Sequence, residues 1–380
     1  MSNLKPLGIY IHIPFCIKKC KYCDFLSFAS DDETMERYVE SLCLEIRTFF
    51  EKNKNYQVKS IYLGGGTPSI LKPELTKKVM DTLRDVAVID EDAEISTEAN
   101  PGTLDMDKLT TYKKCGINRL SIGLQSTQEK ELAYLGRIHT YEEFLDSYQM
   151  ARKAGFDNIN IDLMSAVPYQ TLDSWKKTLE RILDLEPEHI SAYSLIVEEG
   201  TPFYEDDSLE SLVPDEDTER RMYELTEEVL LKHGYYRYEV SNYAKTGKEC
   251  RHNVLYWDRE DYIGFGLGAA SCMENMRFKN TDDIYEYFHC PYREFGDRME
   301  IEHLSVQEQM EETMILGLRM TRGVSYEDFA HRYGQKMKDV FGEVIEKHQK
   351  DGLLIEENGC VKFTKRGLDL SNIVLCDFLS

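Results

Sequence analysis

No stretch of the 380 residues approaches the roughly 20 consecutive apolar side chains that a helix needs to cross a bilayer. Basic residues are also in deficit. The chain has 46 Lys and Arg against 69 Asp and Glu, a formal net charge of −23. A surface this acidic repels phosphate backbones, which disfavours general nucleic-acid binding. The opening MSNLKPLGIYIHIPFC lacks the basic start, apolar run and small-residue cleavage site of a secretory signal. It passes at once into a strand-like pattern, and a cytoplasmic protein is expected. Internal repeats, low-complexity runs and long flexible linkers are missing too. What remains is an ordinary globular composition, 42% hydrophobic. Its length suits one large domain with a smaller one, or two of medium size.

The first 200 or so residues alternate short apolar runs with charged, amphipathic stretches. Strands are expected at Gly8–Ile13, Val58–Leu63, Glu94–Glu98, Arg119–Leu124, Asn158–Leu163 and Ile190–Leu195. Helices are expected between them, at Thr34–Phe50, Lys72–Val86 and Ser174–Leu185 among others. This spacing predicts parallel βα units, hence an α/β fold closed into a barrel or part of one. In such a fold functional groups gather at the C-terminal ends of the strands. Polar residues and glycines do fall there. Cys16 follows the first strand, Gly64-Gly65-Gly66-Thr67-Pro68 the second, and Glu98-Ala99-Asn100-Pro101-Gly102 closes the third. Gln125 ends the fourth, Asp162 the fifth, and Tyr193 and Ser194 lie near the end of the sixth.

Beyond residue 200 the pattern is less regular. An aromatic strand is expected at Tyr235–Val240, followed by Cys250-Arg251-His252-Asn253-Val254-Leu255-Tyr256-Trp257. The run Gly264-Phe265-Gly266-Leu267-Gly268 has no Lys-Ser/Thr after it, so it is not a phosphate loop. It reads as tight packing or close approach to a ligand. Helices then follow at Val306–Leu318, Tyr326–Tyr333 and Met337–Asp351, with a hairpin turning at Asn358-Gly359. Three helices and a wing predict a winged-helix-like α+β domain. Its acidic balance favours a lid or partner surface over DNA.

Seven of the ten cysteines are scattered: Cys43, Cys115, Cys250, Cys272, Cys290, Cys360 and Cys376. Such cysteines are mostly small buried hydrophobes. The other three, Cys16, Cys20 and Cys23, are spaced C-x3-C-x2-C. A loop of this size can wrap three thiolates around one face of a cubane cluster and leave the fourth iron open. Lys18, Lys19 and Lys21 are interleaved and would offset the thiolate charge. Zinc is the main rival, but structural zinc wants four ligands, and no second C-x2-C pair is present. His12 is a conceivable fourth ligand, though it falls on the first expected strand. A redox C-x2-C would not need the third cysteine.

The segment Tyr10-Ile11-His12-Ile13-Pro14-Phe15-Cys16, continued through Cys20, Tyr22 and Cys23, resembles the opening of radical SAM proteins of the coproporphyrinogen III oxidase-like group. The likeness continues through GGGTPS at 64–69, EANPGT at 98–103, RLSIGLQS at 119–126, LGRIHT at 135–140 and NIDLM at 160–164. It implies a [4Fe–4S] cluster on Cys16, Cys20 and Cys23, with S-adenosylmethionine chelating the open iron. Reductive cleavage of its sulfonium would yield a 5′-deoxyadenosyl radical. The resemblance further implies Tyr10, Gly65 and Glu98 as contacts of that molecule, and Tyr22 as packing beside the cluster. Gly66, Thr67, Gln125, Arg137, Asp162 and Ser194 match positions that hold a second S-adenosylmethionine or the active-site volume. The fold so implied is a partial (β/α)6 radical SAM barrel over residues 1–210 and an extension over 211–300. The winged-helix-like domain then covers 301–380.

Two departures separate the chain from the oxidase. Phe25 stands where the oxidase has a fourth cysteine, and the first strand begins near Gly8, without the oxidase's long leading segment. A branch resembling haem chaperones of the HemW group shares both departures and is marked by H-N-x-x-Y-W. Here that motif is His252-Asn253-Val254-Leu255-Tyr256-Trp257. It implies haem as cargo, His252 as the group that holds it and Cys250 as a weaker candidate for redox or axial contact. The clients would be haem-requiring proteins, respiratory enzymes of the membrane among them, and a homodimer is one expected form. The alternative function is the oxidase's own reaction, oxidative decarboxylation of two propionates of coproporphyrinogen III.

Overall fold

A computed structural model describes residues 4–289 and 299–379. Six parallel strands form its centre: β1 (Lys5–Ile13), β2 (Tyr56–Gly65), β3 (Val88–Ala99), β4 (Arg119–Gln125), β5 (Ile159–Ser165) and β6 (His189–Ser194). They lie side by side in chain order. The six strands expected from the sequence are these, although β3 starts six residues before Glu94.

β1 is buried on both faces. Leu7, Ile9, Ile11 and Ile13 are fully inaccessible, and His12 is buried on the opposite face. A parallel strand covered by helices outside and by a filled interior inside reads this way. The covering helices are α1 (Asp32–Lys52), α2 (Pro73–Val86), α3 (Met106–Lys114), α4 (Glu129–Leu135), α5 (Tyr141–Lys153), α6 (Leu172–Leu183) and α7 (Glu216–Lys232). Local chemistry starts several of them. Thr140 with Glu143 and Thr171 with Ser174 form reciprocal capping pairs, so orphan N–H groups of α5 and α6 are satisfied.

The sheet is larger than six strands, and mixed. β7 (Tyr236–Arg237) and β8 (Asn242–Ala244) extend it beyond β6, antiparallel. On the free edge of β1 lies β9 (Tyr262–Phe265), parallel to it, with Gly8 opposite Tyr262. β10 (Ala270–Met273), β11 (Met276–Lys279) and β12 (Met299–His303) continue antiparallel from there. The order runs from β12 at one edge to β7 at the other, so the barrel stays open.

One expectation is corrected here and another is narrowed. The aromatic strand over Tyr235–Val240 is strand only at Tyr236–Arg237. The chain bends there because Tyr238 turns inward to hydrogen-bond His189 Nε2 at 2.9 Å, and Glu239 is buried where it accepts the Ser241 N–H. The glycine run at 264–268 is a packing device. A Cβ at Gly264 would stand 2.3 Å from the Ala270 carbonyl oxygen, and one at Gly266 would stand 2.4 Å from the Tyr38 hydroxyl.

Two short helices, α8 (Arg251–Trp257) and α9 (Ile284–His289), flank this extension. The C-terminal part has a separate apolar core built on Met314, Leu318, Phe329, Phe341, Ile345 and Val361. It comprises α10 (Val306–Gly317), α11 (Tyr326–Tyr333), α12 (Met337–Lys350), α13 (Lys365–Asp369) and α14 (Ser371–Cys376). Its wing has three strands, β13 (Val324–Ser325), β14 (Leu354–Glu357) and β15 (Cys360–Phe363), where the sequence suggested two. Asn358 and Gly359 both adopt positive φ in the expected turn. Cys43, Cys115, Cys250 and Cys272 are buried as expected, Cys360 is half-buried, and Cys376 is exposed. Cys290 lies outside the described residues. No helix among the described residues is long and apolar enough to cross a membrane.

One buried carboxylate fastens the sheet extension to the helical layer. Glu45 of α1 accepts hydrogen bonds from the Gly266 N–H at 3.0 Å, Asn280 Nδ2 at 2.8 Å and the Tyr287 hydroxyl at 2.7 Å. Glu45→Ala leaves these donors without their carboxylate in a dry site, and a loss of about 3 kcal/mol or more is expected. Glu45→Gln keeps one acceptor oxygen and should lose less. Urea denaturation of the three chains measures the order.

Candidate functional site

The cysteine loop leaves the end of β1 and is tied down by its backbone. Cys16 N–H donates to the Phe28 carbonyl at 3.0 Å, Lys21 N–H to Leu135 at 3.1 Å, and Phe203 N–H to the Lys21 carbonyl at 3.1 Å. These bonds fix both ends of the loop to the scaffold while Cys16, Cys20 and Cys23 stay half-buried. Among the described residues no three His, Cys, Asp or Glu side chains converge as a site for a single metal ion. A cubane does not need such convergence, because each thiolate binds a different iron. The donor set, three free half-exposed thiols on one anchored loop, therefore fits a [4Fe–4S] cluster in its chemistry. Burial, together with the neighbouring thiols, pushes the Cys23 thiol above its ordinary range, and Lys19 opposes that. Lys21 also has an aromatic neighbour. Its ammonium sits 4.4 Å from the centre of the Tyr134 ring. His12 is closed to metal as well: Nε2 meets the Leu26 carbonyl at 2.8 Å and Nδ1 meets the Tyr10 hydroxyl at 2.9 Å.

Glycines 65 and 66 bring the end of β2 against the end of β1. Gly65 has φ of +116°, and a Cβ there would lie 2.6 Å from the His12 ring. At Gly66 a Cβ would lie 2.7 Å from the Phe15 carbonyl oxygen. Both glycines are thus required by packing at the root of the cysteine loop. The next residue, Thr67, is buried and joins two elements: its hydroxyl lies 3.3 Å from Cys16 Sγ and accepts from Asn100 Nδ2 at 2.8 Å. Asn100 in turn accepts from Arg137 at 2.7 Å, and Arg137 donates to Cys20 Sγ at 3.6 Å. A connected path thus runs from Cys16 through Thr67, Asn100 and Arg137 to Cys20. Thr67, Asn100, Arg137 and Cys20, with His139, line a cavity of about 140 Å3. Tyr22 packs beside this loop against Leu135, Val167 and Phe203.

Deeper inside, Glu98 at the end of β3 accepts from the Tyr62 hydroxyl at 2.9 Å and the Gly65 N–H at 3.2 Å. Burial, and then the nearby Asp162 charge, push its carboxyl up to about 7. Asp162 is itself raised by burial, and it accepts from Ser121 at 2.9 Å and Asn160 at 2.7 Å. Gln125 is buried at the end of β4 with φ of +73°, a conformation that strains a side chain other than glycine. Ser194 is set apart, 3.3 Å from the Ser165 hydroxyl. Tyr10 lines a second cavity, of about 320 Å3, with Tyr256, Tyr262, Cys272 and Leu316.

α8 carries the H-N-x-x-Y-W motif and lies against this interior. The His252 side chain is almost wholly buried. Its Nδ1 stands 2.8 Å from the Ser60 hydroxyl, its Nε2 stands 2.7 Å from the Tyr256 hydroxyl, and its ring stacks on Tyr62 at 5.3 Å. Burial first, and the Arg119 charge second, push its imidazole down to about 3, so it is neutral. In this conformation neither nitrogen is open to an incoming metal. Cys250 is sealed too. Its thiol donates to Glu94 at 3.5 Å and is pushed up to about 12, mainly by burial. That removes the redox or axial contact considered for it. Sequence reasoning gave no role to Asn100, Glu94, Arg119 or Tyr62. For Asn100 a signal existed, its place in E-A-N-P-G at a strand end. The others carry none.

The Glu98 carboxyl is harder to ionise in the folded chain than in the unfolded one. Its contribution to stability is complete below about pH 4.5 and is lost as pH rises through about 7. Relative to Glu98→Gln, the unmodified chain should therefore lose about 3 kcal/mol of unfolding free energy across that window. Urea melts of both chains at acid and neutral pH measure the difference.

Residues 10–182 match the radical SAM superfamily, and residues 304–370 match the HemN C-terminal domain. The fold is similar to that of the Escherichia coli coproporphyrinogen III oxidase HemN, with a TM-score of 0.86, 22% identity, and coverage of 99% of this chain and 90% of that one. The heme chaperone HemW of Bacillus subtilis is 37% identical over 378 residues, covering 97% of this chain and 98% of that protein. That of Lactococcus lactis is 36% identical over 377 residues, covering 99% and 98%. The Escherichia coli protein of that name is 40% identical over 270 residues, 71% of each chain. The open α/β barrel, the anchored cysteine loop and this end-to-end likeness agree: the chain belongs to the HemW family of haem chaperones, built on the radical SAM fold.

Proposed function

We propose that this chain binds haem and hands it to haem-requiring client proteins, with a [4Fe–4S] cluster and S-adenosylmethionine as resident cofactors. The observation that carries the reading is the likeness to HemW chaperones across nearly the whole chain, C-terminal part included. Cys16, Cys20 and Cys23 would hold the cluster, and Tyr22 would pack beside it. When bound, S-adenosylmethionine on the open iron supplies a sulfonium that an electron can cleave. Gly65 and Glu98 would receive it at the ends of β2 and β3, with Tyr10 on the neighbouring strand. Gly66, Thr67, Gln125, Arg137, Asp162 and Ser194 would shape the remaining volume at the strand ends. Haem would sit beside α8, with His252 in its binding machinery. Clients are proteins that need haem, respiratory enzymes among them, and the chain would act from the cytoplasm, in part as a homodimer.

Anaerobic reconstitution followed by haem titration, with and without S-adenosylmethionine, tests this reading by optical and EPR spectra. Haem binding with transfer to a haem-depleted acceptor is expected. Conversion of coproporphyrinogen III to protoporphyrinogen IX would replace it with the oxidase reaction. The triple variant Cys16→Ala, Cys20→Ala, Cys23→Ala should retain no cluster iron. For haem, His252→Ala should weaken binding and alter the spectrum; if both stay unchanged, His252 has no part in the site.

A further inference from the structure

His252 cannot meet iron directly as it stands, and the reason points to its neighbour. Both of its nitrogens are occupied, and it does not line the cavity of about 320 Å3 that opens beside α8. Tyr256, one helical turn on, does line it. Tyr256 therefore touches both the imidazole and the cavity.

Tyr256 Oη lies 2.7 Å from His252 Nε2, and His252 Nδ1 lies 2.8 Å from Ser60 Oγ. In the tautomer that carries its hydrogen on Nδ1, the imidazole donates to Ser60 and Nε2 accepts from the Tyr256 hydroxyl. Burial holds the phenol up and the imidazole down, so the proton moves only as the phenol oxygen takes another cation. Phenolate oxygen is an established ligand class for ferric haem.

The cavity walls suit the rest of such a molecule. Tyr10, Tyr262, Ala270 and Leu316 offer aromatic and aliphatic surface, and Arg259, Glu260, Arg277 and Glu312 supply the charged part of the lining. Both guanidinium groups share Glu312, at 3.0 and 2.8 Å, and Arg277 remains 45% exposed. Arg277 is thus within reach of a carboxylate entering from solvent. A volume of about 300 Å3 or more, apolar with a few convergent polar groups, is the usual form of a cofactor pocket.

We propose that Tyr256 is the direct iron ligand for ferric haem in this cavity, that His252 is the base that takes its proton, and that Arg277 receives a propionate. The assignment rests on the haem-binding reading above. On binding, the Tyr256 O–H bond breaks, the proton passes to His252 Nε2, and an O–Fe bond forms. The water or hydroxide on free ferric haem leaves, and iron stays ferric. The imidazolium is stabilised by the phenolate it has just created. His252 acts here as a positioning residue.

The test is titration of the full chain with hemin, read by absorption, EPR and resonance Raman. A high-spin ferric signal with iron–phenolate Raman bands is expected, and ring-deuterated tyrosine in the unmodified chain should shift those bands. Tyr256→Phe should abolish them and raise the dissociation constant by about tenfold or more. His252→Gln should keep them and weaken binding by about 10–100-fold. Arg277→Ala, at a half-exposed position that need not disturb folding, should weaken binding and leave the iron spectrum as it was. Phenolate bands that are absent from the unmodified chain, or that persist in Tyr256→Phe, overturn the ligand assignment and leave haem binding standing. No hemin bound by the unmodified chain overturns the haem reading itself.

Discussion

A single buried carboxylate sets where the chaperone motif lies. Glu94 on β3 accepts from the backbone N–H groups of Arg251 at 3.1 Å and His252 at 3.2 Å, and from the Cys250 thiol at 3.5 Å. These are orphan donors at the start of α8, and an anion there also meets the positive end of the helix dipole. α8 has only seven residues and could not hold its place by propensity. The carboxylate anchors it to the sheet, and the position of His252, Tyr256 and the cavity wall follows from that anchor.

From this anchor a column of rings crosses the interior. Tyr62 donates to Glu98 and stacks on His252. His252 meets Tyr256 edge-on at 4.8 Å, and Tyr256 meets Tyr262 edge-on at 4.5 Å. Offset and edge-to-face contacts of this kind contribute about 0.5–1.5 kcal/mol each beyond their burial. More important is what the column connects. One end is Glu98, among the strand-end loops beside the cysteine loop, and the other is the wall of the larger cavity. The two candidate regions are therefore parts of one packed interior.

What the sequence made legible follows the range of the forces involved. The parallel strands, the cysteine loop and the Asn-Gly turn rest on local patterns, short apolar runs, cysteine spacing and turn chemistry, and all were readable. β9 was not, because four residues become a strand only by pairing with β1, more than 250 residues away in the chain. Glycines 264 and 266 show the same limit. Their spacing suggested either packing or a ligand, and only the Ala270 carbonyl and the Tyr38 hydroxyl decide for packing. Lys21 also packs its ammonium on the ring of Tyr134, distant in sequence, a contact that the loop's spacing does not announce. For His252 the motif was legible, but its saturated hydrogen bonds depend on Ser60, a residue of another strand.

Arg137 shows how a motif residue can have most of its donors committed before any ligand arrives. A guanidinium takes a carboxylate as a fork, which needs two parallel N–H groups. In the structure those groups reach Cys20 Sγ at 3.6 Å, Asn100 at 2.7 Å and the Gly123 carbonyl. A guanidinium has five N–H donors, and here Nε–H has no partner while both terminal nitrogens are engaged, so a carboxylate taking two parallel N–H groups fills one idle donor and shares or exchanges a bond of the other. Its burial makes the exchange costly unless each released acceptor finds another donor. Asn100 does not lose all its bonds, because its own amide still donates to Thr67. Cys20 loses a donor, which matters less once its sulfur is bonded to iron. The loop that would hold the cluster and the arginine beside it are therefore linked through one sulfur atom, and filling either site changes what the other can offer.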